Sequence, residues 1–158
     1  MKITELEKEL GDFHMKIEKL SIETGKIHGI IGGNGCGKTT LCKLIMGILE
    51  ADKGEIDWEG IDPKRITMTA QRPYFIQTSV YENICYPLKI RHERPDEALI
   101  DWWLGQCGLL QKKYQYARSL SSGEQQKVSM IRALIFRPEL IIIDETLSNL
   151  DPENLEFF

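Results

Sequence analysis

The sequence has no long apolar run and no excess of basic residues, and each absence narrows the possible functions. No apolar stretch approaches the roughly 18 residues needed to cross a bilayer, so we expect any contact with a membrane to be peripheral. The opening residues, MKITELEKEL, carry too many charges for a secretion signal. Acidic residues outnumber basic ones by 24 to 20, and the formal net charge of −4 argues against a nucleic-acid-binding protein.

Cysteine is also scarce, and its spacing argues against a metal or disulfide framework. The four cysteines are Cys36, Cys42, Cys85 and Cys107. They form no C-x-x-C pair, and no histidine stands at zinc-ligand spacing from them. We therefore expect reduced thiols, as in a protein of the cytosol.

Glycine, in contrast, is concentrated in one short segment. Residues 32–39, GGNGCGKT, fit the pattern G-x-x-x-x-G-K-[ST] between a predicted buried strand (residues 26–32) and a predicted helix (residues 38–49). In this pattern backbone N–H groups and a helix N-terminus face phosphate oxygens, and side chains would block that approach. Lys38 would reach the terminal phosphates, and Thr39 would offer its hydroxyl to Mg²⁺. The predicted nucleotide-binding residues of this segment are Gly32, Gly33, Asn34, Gly35, Cys36, Gly37, Lys38, Thr39 and Thr40.

Two acidic residues follow a second apolar segment. LIIIDE, residues 140–145, predicts a buried strand that ends in Asp144 and Glu145. Ligands of open α/β sheets bind at the carboxyl ends of the strands, so we expect this end beside the glycine-rich loop. Asp144 would hold Mg²⁺, and Glu145 would orient or deprotonate an attacking water.

A third segment, LSSGE at residues 120–124, narrows the class of protein. It stands one helix before the acidic strand and resembles the signature of the ABC-type ATPases, with Ser122 replacing the first usual glycine and Glu124 the usual glutamine. In this family two ATP-binding domains pair head to tail, so the resemblance implies that the signature contacts ATP held by the other domain. The implied signature residues are Ser121, Ser122, Gly123 and Glu124.

The resemblance covers almost the whole chain and implies further roles. Gln71 matches the glutamine that holds Mg²⁺ together with Thr39 and Asp144, and Glu145 matches the catalytic glutamate. The implied catalytic residues are Glu145, Lys38 and Gln71.

The adenine contact departs from the family pattern. Family members often stack adenine on an aromatic residue just before the first glycine of the N-terminal hairpin, where this sequence has Leu10. Phe13 is the nearest aromatic residue that could replace it. Ordinary packing of Phe13 within the hairpin is the alternative.

The resemblance implies an α/β fold, that of a P-loop NTPase with a RecA-like parallel core sheet, an N-terminal antiparallel β subdomain and an inserted α-helical subdomain. We expect a single ABC-type ATPase domain over residues 1–158. Its expected segments are the β subdomain with the P-loop core (1–71), the helical insert (72–120), and the signature helix, Walker B strand and D-loop (121–158). Relatives continue to a histidine that contacts the γ-phosphate, whereas the histidines here all precede the acidic strand. We therefore expect a C-terminally truncated domain that binds nucleotide weakly and hydrolyses it poorly.

The implied function is that of the ATP-binding subunit of an ABC transporter, similar to importers, with ATP and Mg²⁺ as cofactors. The implied partners are a second ATP-binding domain and a membrane permease, without nucleic acid. The implied location is cytoplasmic, peripheral at the inner face of the membrane. Apolar residues after Gln71 would line the permease groove, and we expect at least two of them to be exposed. These residues are Tyr74, Phe75, Ile76 and Tyr81.

Two other functions remain open. Soluble ABC-type ATPases of chromosome maintenance share these motifs and carry a long coiled coil between the glycine-rich loop and the signature. Here only about eighty residues separate the two, which is too few for such a coiled coil. A nucleotide-binding module with little hydrolysis is the second alternative. The intact Glu145 argues against it, and the missing histidine favours it.

Overall fold

The computed structural model describes residues 1–70 and 73–143, and the chain divides into two compact units after Ile66. Three predicted site residues, Gln71, Asp144 and Glu145, lie outside the described residues, as does the predicted loop at 148–151. The first unit is built mainly on an antiparallel sheet, and the second mainly on helices.

A three-stranded antiparallel sheet dominates the first unit. Strands β1 (Lys2–Leu10) and β2 (Phe13–Ser21) form a hairpin whose register pairs Leu10 with Phe13. Strand β3 (Lys53–Asp57) pairs with the other edge of β1, which gives the order β2-β1-β3. The expected N-terminal antiparallel β subdomain is therefore confirmed.

A β-bulge in β1 sets which side chains face the core. The register with β3 shifts between Thr4 and Glu7, and both Ile3 and Leu6 are fully buried. In a regular strand residues three apart point to opposite faces, and the extra residue of a bulge brings them to one face. Gly54 permits the close approach of the strands, because its φ is +76° and a Cβ there would collide with the backbone opposite.

Helix α1 (Lys38–Ile45) follows the glycine-rich loop as predicted, although it ends before the predicted residue 49. Leu41, Cys42, Leu44 and Ile45 form its buried face. Trp58 donates a hydrogen bond from Nε1 to the Ile45 carbonyl at 2.8 Å, which satisfies an acceptor that a helix end otherwise leaves unused. The buried face and this bond hold the helix, and with it the end of the loop, on the first unit.

The prediction of a buried strand at residues 26–32 is wrong. Among the described strands none pairs with these residues, and Ile27 and Ile31 are fully exposed. A strand buried on both faces needs hydrogen-bonded neighbours and a layer on each side. The apolar pattern indicates the character of the side chains and cannot supply those neighbours.

Helices form most of the second unit. They are α2 (Val80–Ile90), α3 (Glu97–Gln106) and α4 (Ser122–Leu134), with short 3₁₀ turns at Leu110–Lys112 and Ala117–Ser119; another, Pro63–Arg65, lies near the end of the first unit. Their shared core includes Val80, Ile84, Ile100, Leu104, Val128 and Ile131. Helix α2 continues through Pro87, although a proline inside a helix usually breaks or kinks it. Burial of Pro87 and of its neighbour Leu88 offsets the missing backbone hydrogen bond.

Two strands flank the helices along the chain. Strand β4 (Ile66–Thr69) pairs with β5 (Leu140–Ile143) in a two-stranded sheet. The expected burial of β5 is wrong, because its first three residues are only half-buried and Ile143 is exposed. A single paired neighbour among the described strands leaves much of β5 uncovered.

Candidate nucleotide-binding site

The glycine-rich loop forms a turn that leads directly into α1. The Cys36 N–H donates to the Gly33 carbonyl at 3.4 Å, and the Leu41 N–H donates the first helical bond to the Gly37 carbonyl at 2.9 Å. Gly35 and Gly37 have φ values of +79° and +98°. Alternation of left-handed with ordinary backbone turns successive N–H groups toward one point, the arrangement called a nest, which binds anions.

Lys38 folds back over this loop. Its Nζ donates to the carbonyls of Gly32 at 2.7 Å and Gly33 at 3.0 Å, and lies 3.9 Å from the Cys36 Sγ. The ammonium group is therefore held by the loop itself, on the chain segment where the sequence predicts phosphate. A fixed positive charge beside a nest favours a polyanion, because the charge is in place before the ligand arrives.

The loop leaves room for a ligand. A Cβ built on Gly33 or Gly35 meets nothing within 4 Å, whereas one on Gly32 would lie 2.6 Å from the Cys36 Sγ. Of the other predicted residues, Asn34, Cys36 and Thr39 are exposed and Thr40 is half-buried. The nest, the lysine and the open space fit a polyphosphate.

Of the three expected magnesium ligands, the structure describes Thr39. The exposed Thr39, in the first turn of α1, carries a hydroxyl oxygen of the kind that Mg²⁺ prefers. Its two expected companions, Gln71 and Asp144, lie outside the described residues, and so does the predicted catalytic residue Glu145.

Phe13 lies against the same loop. It begins β2 and is half-buried, and a Cβ built on Gly37 would lie 2.6 Å from its Cζ and 2.6 Å from the Met15 Cε. The ring edge therefore touches the loop just before α1. This position agrees both with an adenine-stacking role and with packing that supports the loop.

Replacing Phe13 by alanine distinguishes these two roles. Base–aromatic stacking contributes about 1–3 kcal/mol per base, so a stacking role predicts a rise of roughly 5- to 150-fold in the Kd for ATP. Titration with ATP and with inorganic triphosphate is the measurement, because triphosphate has no base to stack. A matched control is Leu10→Ala, since Leu10 is the partly exposed hairpin partner of Phe13. An equal loss for both ligands would contradict stacking and indicate support of the loop.

The signature segment begins α4 with a capping box. The Glu124 N–H donates to the Ser121 Oγ at 3.3 Å, and the Ser121 N–H donates to the Glu124 Oε2 at 3.0 Å. Ser121 and Ser122 are exposed, while Gly123 and Glu124 are half-buried. Lys112 donates to the other carboxylate oxygen, Oε1, at 2.6 Å, and this bond, with the Ser121 N–H, holds the pKa of Glu124 below its usual range.

The segment expected to dock on a permease is less exposed than predicted. Phe75 is buried in the helical core, and Tyr81 is half-buried with its hydroxyl bonded to Glu97. Ile76 is half-buried as well, so Tyr74, at 70% exposure, is the exposed one of the four. The expectation of at least two exposed anchors is therefore wrong for the described structure.

Three polar side chains explain why this segment is less exposed than predicted. The sequence patterns did not single them out. Arg118 donates from Nε and Nη2 to the Phe75 carbonyl at 3.1 and 3.0 Å, and Arg132 donates from Nη1 to the Tyr74 carbonyl at 2.7 Å. The buried Asn83 bonds both the N–H and the carbonyl of Ile76. These bonds hold the segment against the helices. No local motif predicts the contacts of Arg118 and Arg132, which are distant along the chain.

Comparisons with known proteins agree with the motifs. The family model described as ABC transporter matches residues 15–148. The chain is 38% identical over 152 residues to the tungstate uptake system ATP-binding protein of Peptoclostridium acidaminophilum, a match that covers 92% of this chain and 71% of that protein. It is 34% identical over 149 residues to the methionine import ATP-binding protein of Cutibacterium acnes, covering 85% of this chain and 41% of that protein.

A solved structure agrees in fold. The cbiO1 protein of Clostridium perfringens, described as part of the ABC transporter complex cbiONQ, is 27% identical, with a TM-score of 0.79 over 98% of this chain and 68% of that one. The expected fold class, an α/β P-loop NTPase with a β subdomain and a helical insert, is confirmed by this similarity and by the family match. With that match spanning most of its length, the chain belongs to the ABC transporter family of ATP-binding proteins.

Proposed function

We propose that this chain binds ATP with Mg²⁺ and hydrolyses it to drive import through a membrane permease. The observation that carries the proposal is the loop at residues 32–39, where a lysine is held over left-handed glycines at the start of a helix. Family membership supports ATP as the polyanion. The names of the relatives, which are uptake and import subunits, support the direction of transport.

The proposed reaction is attack of water on the γ-phosphate, which breaks the bond to the β-phosphate and releases ADP and inorganic phosphate. The loop N–H groups and Lys38 bind the phosphates and neutralise the charge that develops on them. Glu145 orients the water and accepts its proton. Mg²⁺, when bound through Thr39, Gln71 and Asp144, would supply further neutralisation of the phosphate charge. The Phe13 ring stacks on the adenine.

We further propose that ATP binding pairs two such domains. The signature residues, Ser121 to Glu124, face ATP held by the glycine-rich loop of the other domain. The exposed Ser121 and Ser122 at the start of α4 support this, because hydroxyls and N–H groups at a helix start favour anions. The proposed organisation of the domain keeps the segments 1–71, 72–120 and 121–158.

Replacing Gly123 by alanine separates the fold of the signature from its function. Gly123 is the second residue of α4, without a left-handed φ, and a Cβ there would meet nothing within 4 Å. We expect the free energy of unfolding to rise by about 0.5 kcal/mol, because alanine favours the helix. ATP-dependent dimerisation is expected to weaken, because the new methyl group lies where the partner's nucleotide approaches.

Dimerisation with MgATP, measured by analytical ultracentrifugation beside a thermal melt, tests this. Gly105→Ala is the matched control, since Gly105 lies within α3 and a Cβ there also meets nothing within 4 Å. If Gly123→Ala dimerised as well as Gly105→Ala, a role of the signature in trans would be wrong.

The membrane partner follows from the family and from the relatives. In the described residues no helix is both long and apolar enough to span a bilayer. We propose that the chain docks on the cytoplasmic face of a separate permease, in part through Tyr74. The relatives serve cargo as different as tungstate and methionine, which supports selection of the cargo elsewhere in the transporter.

Co-purification tests this proposal against a soluble role. The protein is co-expressed with a candidate permease, the permease is captured in detergent, and ATP hydrolysis of the complex is compared with that of the protein alone. We expect both proteins in the captured material and faster hydrolysis in the complex. Absence of the chain from the captured permease, with hydrolysis unchanged, would favour a soluble ATPase.

A further inference from the structure

The signature of this chain contains an acidic residue at a place that receives phosphate in the proposed pair of domains. Glu124 closes the capping box of α4, with its Oε2 accepting from the Ser121 N–H at 3.0 Å. The carboxylate is therefore tied to the turn that holds Ser121 to Gly123. An uncompensated negative charge so close to an arriving triphosphate would oppose binding, since like charges that meet across an interface are unfavourable.

Lys112 provides the compensating charge. Its Nζ donates to the Glu124 Oε1 at 2.6 Å, so each carboxylate oxygen has a separate partner. The lysine ends a 3₁₀ turn, and its backbone is held by a bond from its N–H to the Leu109 carbonyl at 2.9 Å. The cation is thus held from a segment outside α4.

The neighbouring basic residues have other partners. Lys113 donates to Glu97 at 2.8 Å and to Asp101 at 2.6 Å, and its side chain is largely buried. Lys127, on α4 itself, donates to the Cys107 carbonyl at 3.5 Å. Among the described lysines and arginines, Lys112 forms the ion pair with Glu124.

We propose that Lys112 is a positioning residue of the signature: it neutralises and orients Glu124 so that the start of α4 accepts the phosphates of ATP bound by a second domain. This inference rests on the proposed pairing of two domains. It adds a residue outside the signature motif and gives a reason why glutamate is tolerated where the family usually has glutamine. A neutral glutamine would complete the same capping box without needing a cation.

The test is a double-mutant cycle in the Glu145→Gln protein, which is expected to hold the ATP-bound dimer. Lys112→Met is made with and without Glu124→Gln, and the apparent Kd of dimerisation in MgATP is measured at low and high salt. We expect Lys112→Met alone to raise this Kd about tenfold at low salt and less at high salt, since salt screens exposed charges. In the Glu124→Gln background the same change is expected to have less than a twofold effect.

Two further variants separate positioning from stability. Lys112→Arg keeps the charge and is expected to stay within about threefold of the parent. Lys127→Met removes a lysine of α4, the helix that contains Glu124, which does not contact this glutamate. This variant is expected to leave dimerisation unchanged. Thermal melting of each variant identifies loss of fold.

The outcomes are distinct. An equal tenfold loss in both backgrounds would overturn the proposal, because Lys112 would then act independently of Glu124. Unchanged dimerisation by Lys112→Met would overturn it as well. If the Glu145→Gln parent itself formed no ATP-dependent dimer, the proposed pairing would fail and the role of Lys112 with it.

Discussion

Replacement of Gly37 by alanine is expected to abolish ATP binding and to destabilise the first unit by roughly 2–5 kcal/mol. Two effects add at this position. The φ of +98° is a conformation that residues with a Cβ rarely adopt, and the new methyl group would lie 2.6 Å from both the Phe13 Cζ and the Met15 Cε. Relief of either effect moves the backbone between the loop and α1, where the proposed phosphate-binding N–H groups lie.

The matched control for this substitution is Gly47→Ala, beyond the other end of α1. Gly47 has a φ of +68°, but a Cβ there meets nothing within 4 Å, so this variant carries the backbone strain without the collision. We expect it to lose about 1–2 kcal/mol and to retain ATP binding. Urea unfolding and ATP titration of both variants are the measurements. Equal destabilisation by the two changes would show that the contact with Phe13 and Met15 is unimportant.

Replacement of Glu145 by glutamine is the second change with a large expected effect. An amide cannot accept a proton from water, so we expect ATP hydrolysis by the protein assembled with the proposed permease to fall by about 10²- to 10⁴-fold. Binding of ATP is expected to persist, because the loop and Lys38 are unaltered. The unhydrolysed ATP should then hold two domains together, which makes a stable dimer the second expected result.

Phosphate release and size-exclusion chromatography in MgATP measure these two effects. Glu50→Gln is the control, since Glu50 is an exposed glutamate outside every motif. Normal hydrolysis by Glu145→Gln would remove the catalytic role proposed for this residue. No measurable hydrolysis by the unmutated protein, with ATP still bound, would favour the nucleotide-binding module.

The sequence predicted local features well where neighbouring residues carry the information. The glycine spacing of residues 32–39 predicted a turn followed by a helix, and the structure has both. The expected signature helix is α4, and Ser121 and Glu124 begin it with a capping box, a contact between residues three apart. The hairpin of β1 and β2 was implied by the family resemblance, and a two-residue turn joins its strands.

Predictions that required distant contacts did less well. The apolar residues 26–32 predicted a buried strand, yet Ile27 and Ile31 are exposed, because burial depends on pairing with strands elsewhere in the chain. Phe75 has the character of an interface anchor, but Arg118, far along the chain, bonds its carbonyl and the ring joins the core. Pro87 would break or kink an isolated helix, and packing of α2 on the core overrides this preference.

The sequence by itself determined the class of this protein. The glycine-rich loop, the acidic strand and the signature are each a run of consecutive residues, so each can be identified without knowing the tertiary structure. Tertiary structure alone decided which residues support them. The contact of Phe13 and Met15 with Gly37, and that of Lys112 with Glu124, join segments separated along the chain. Such contacts follow from how the strands and helices pack, and a one-dimensional pattern does not contain that information.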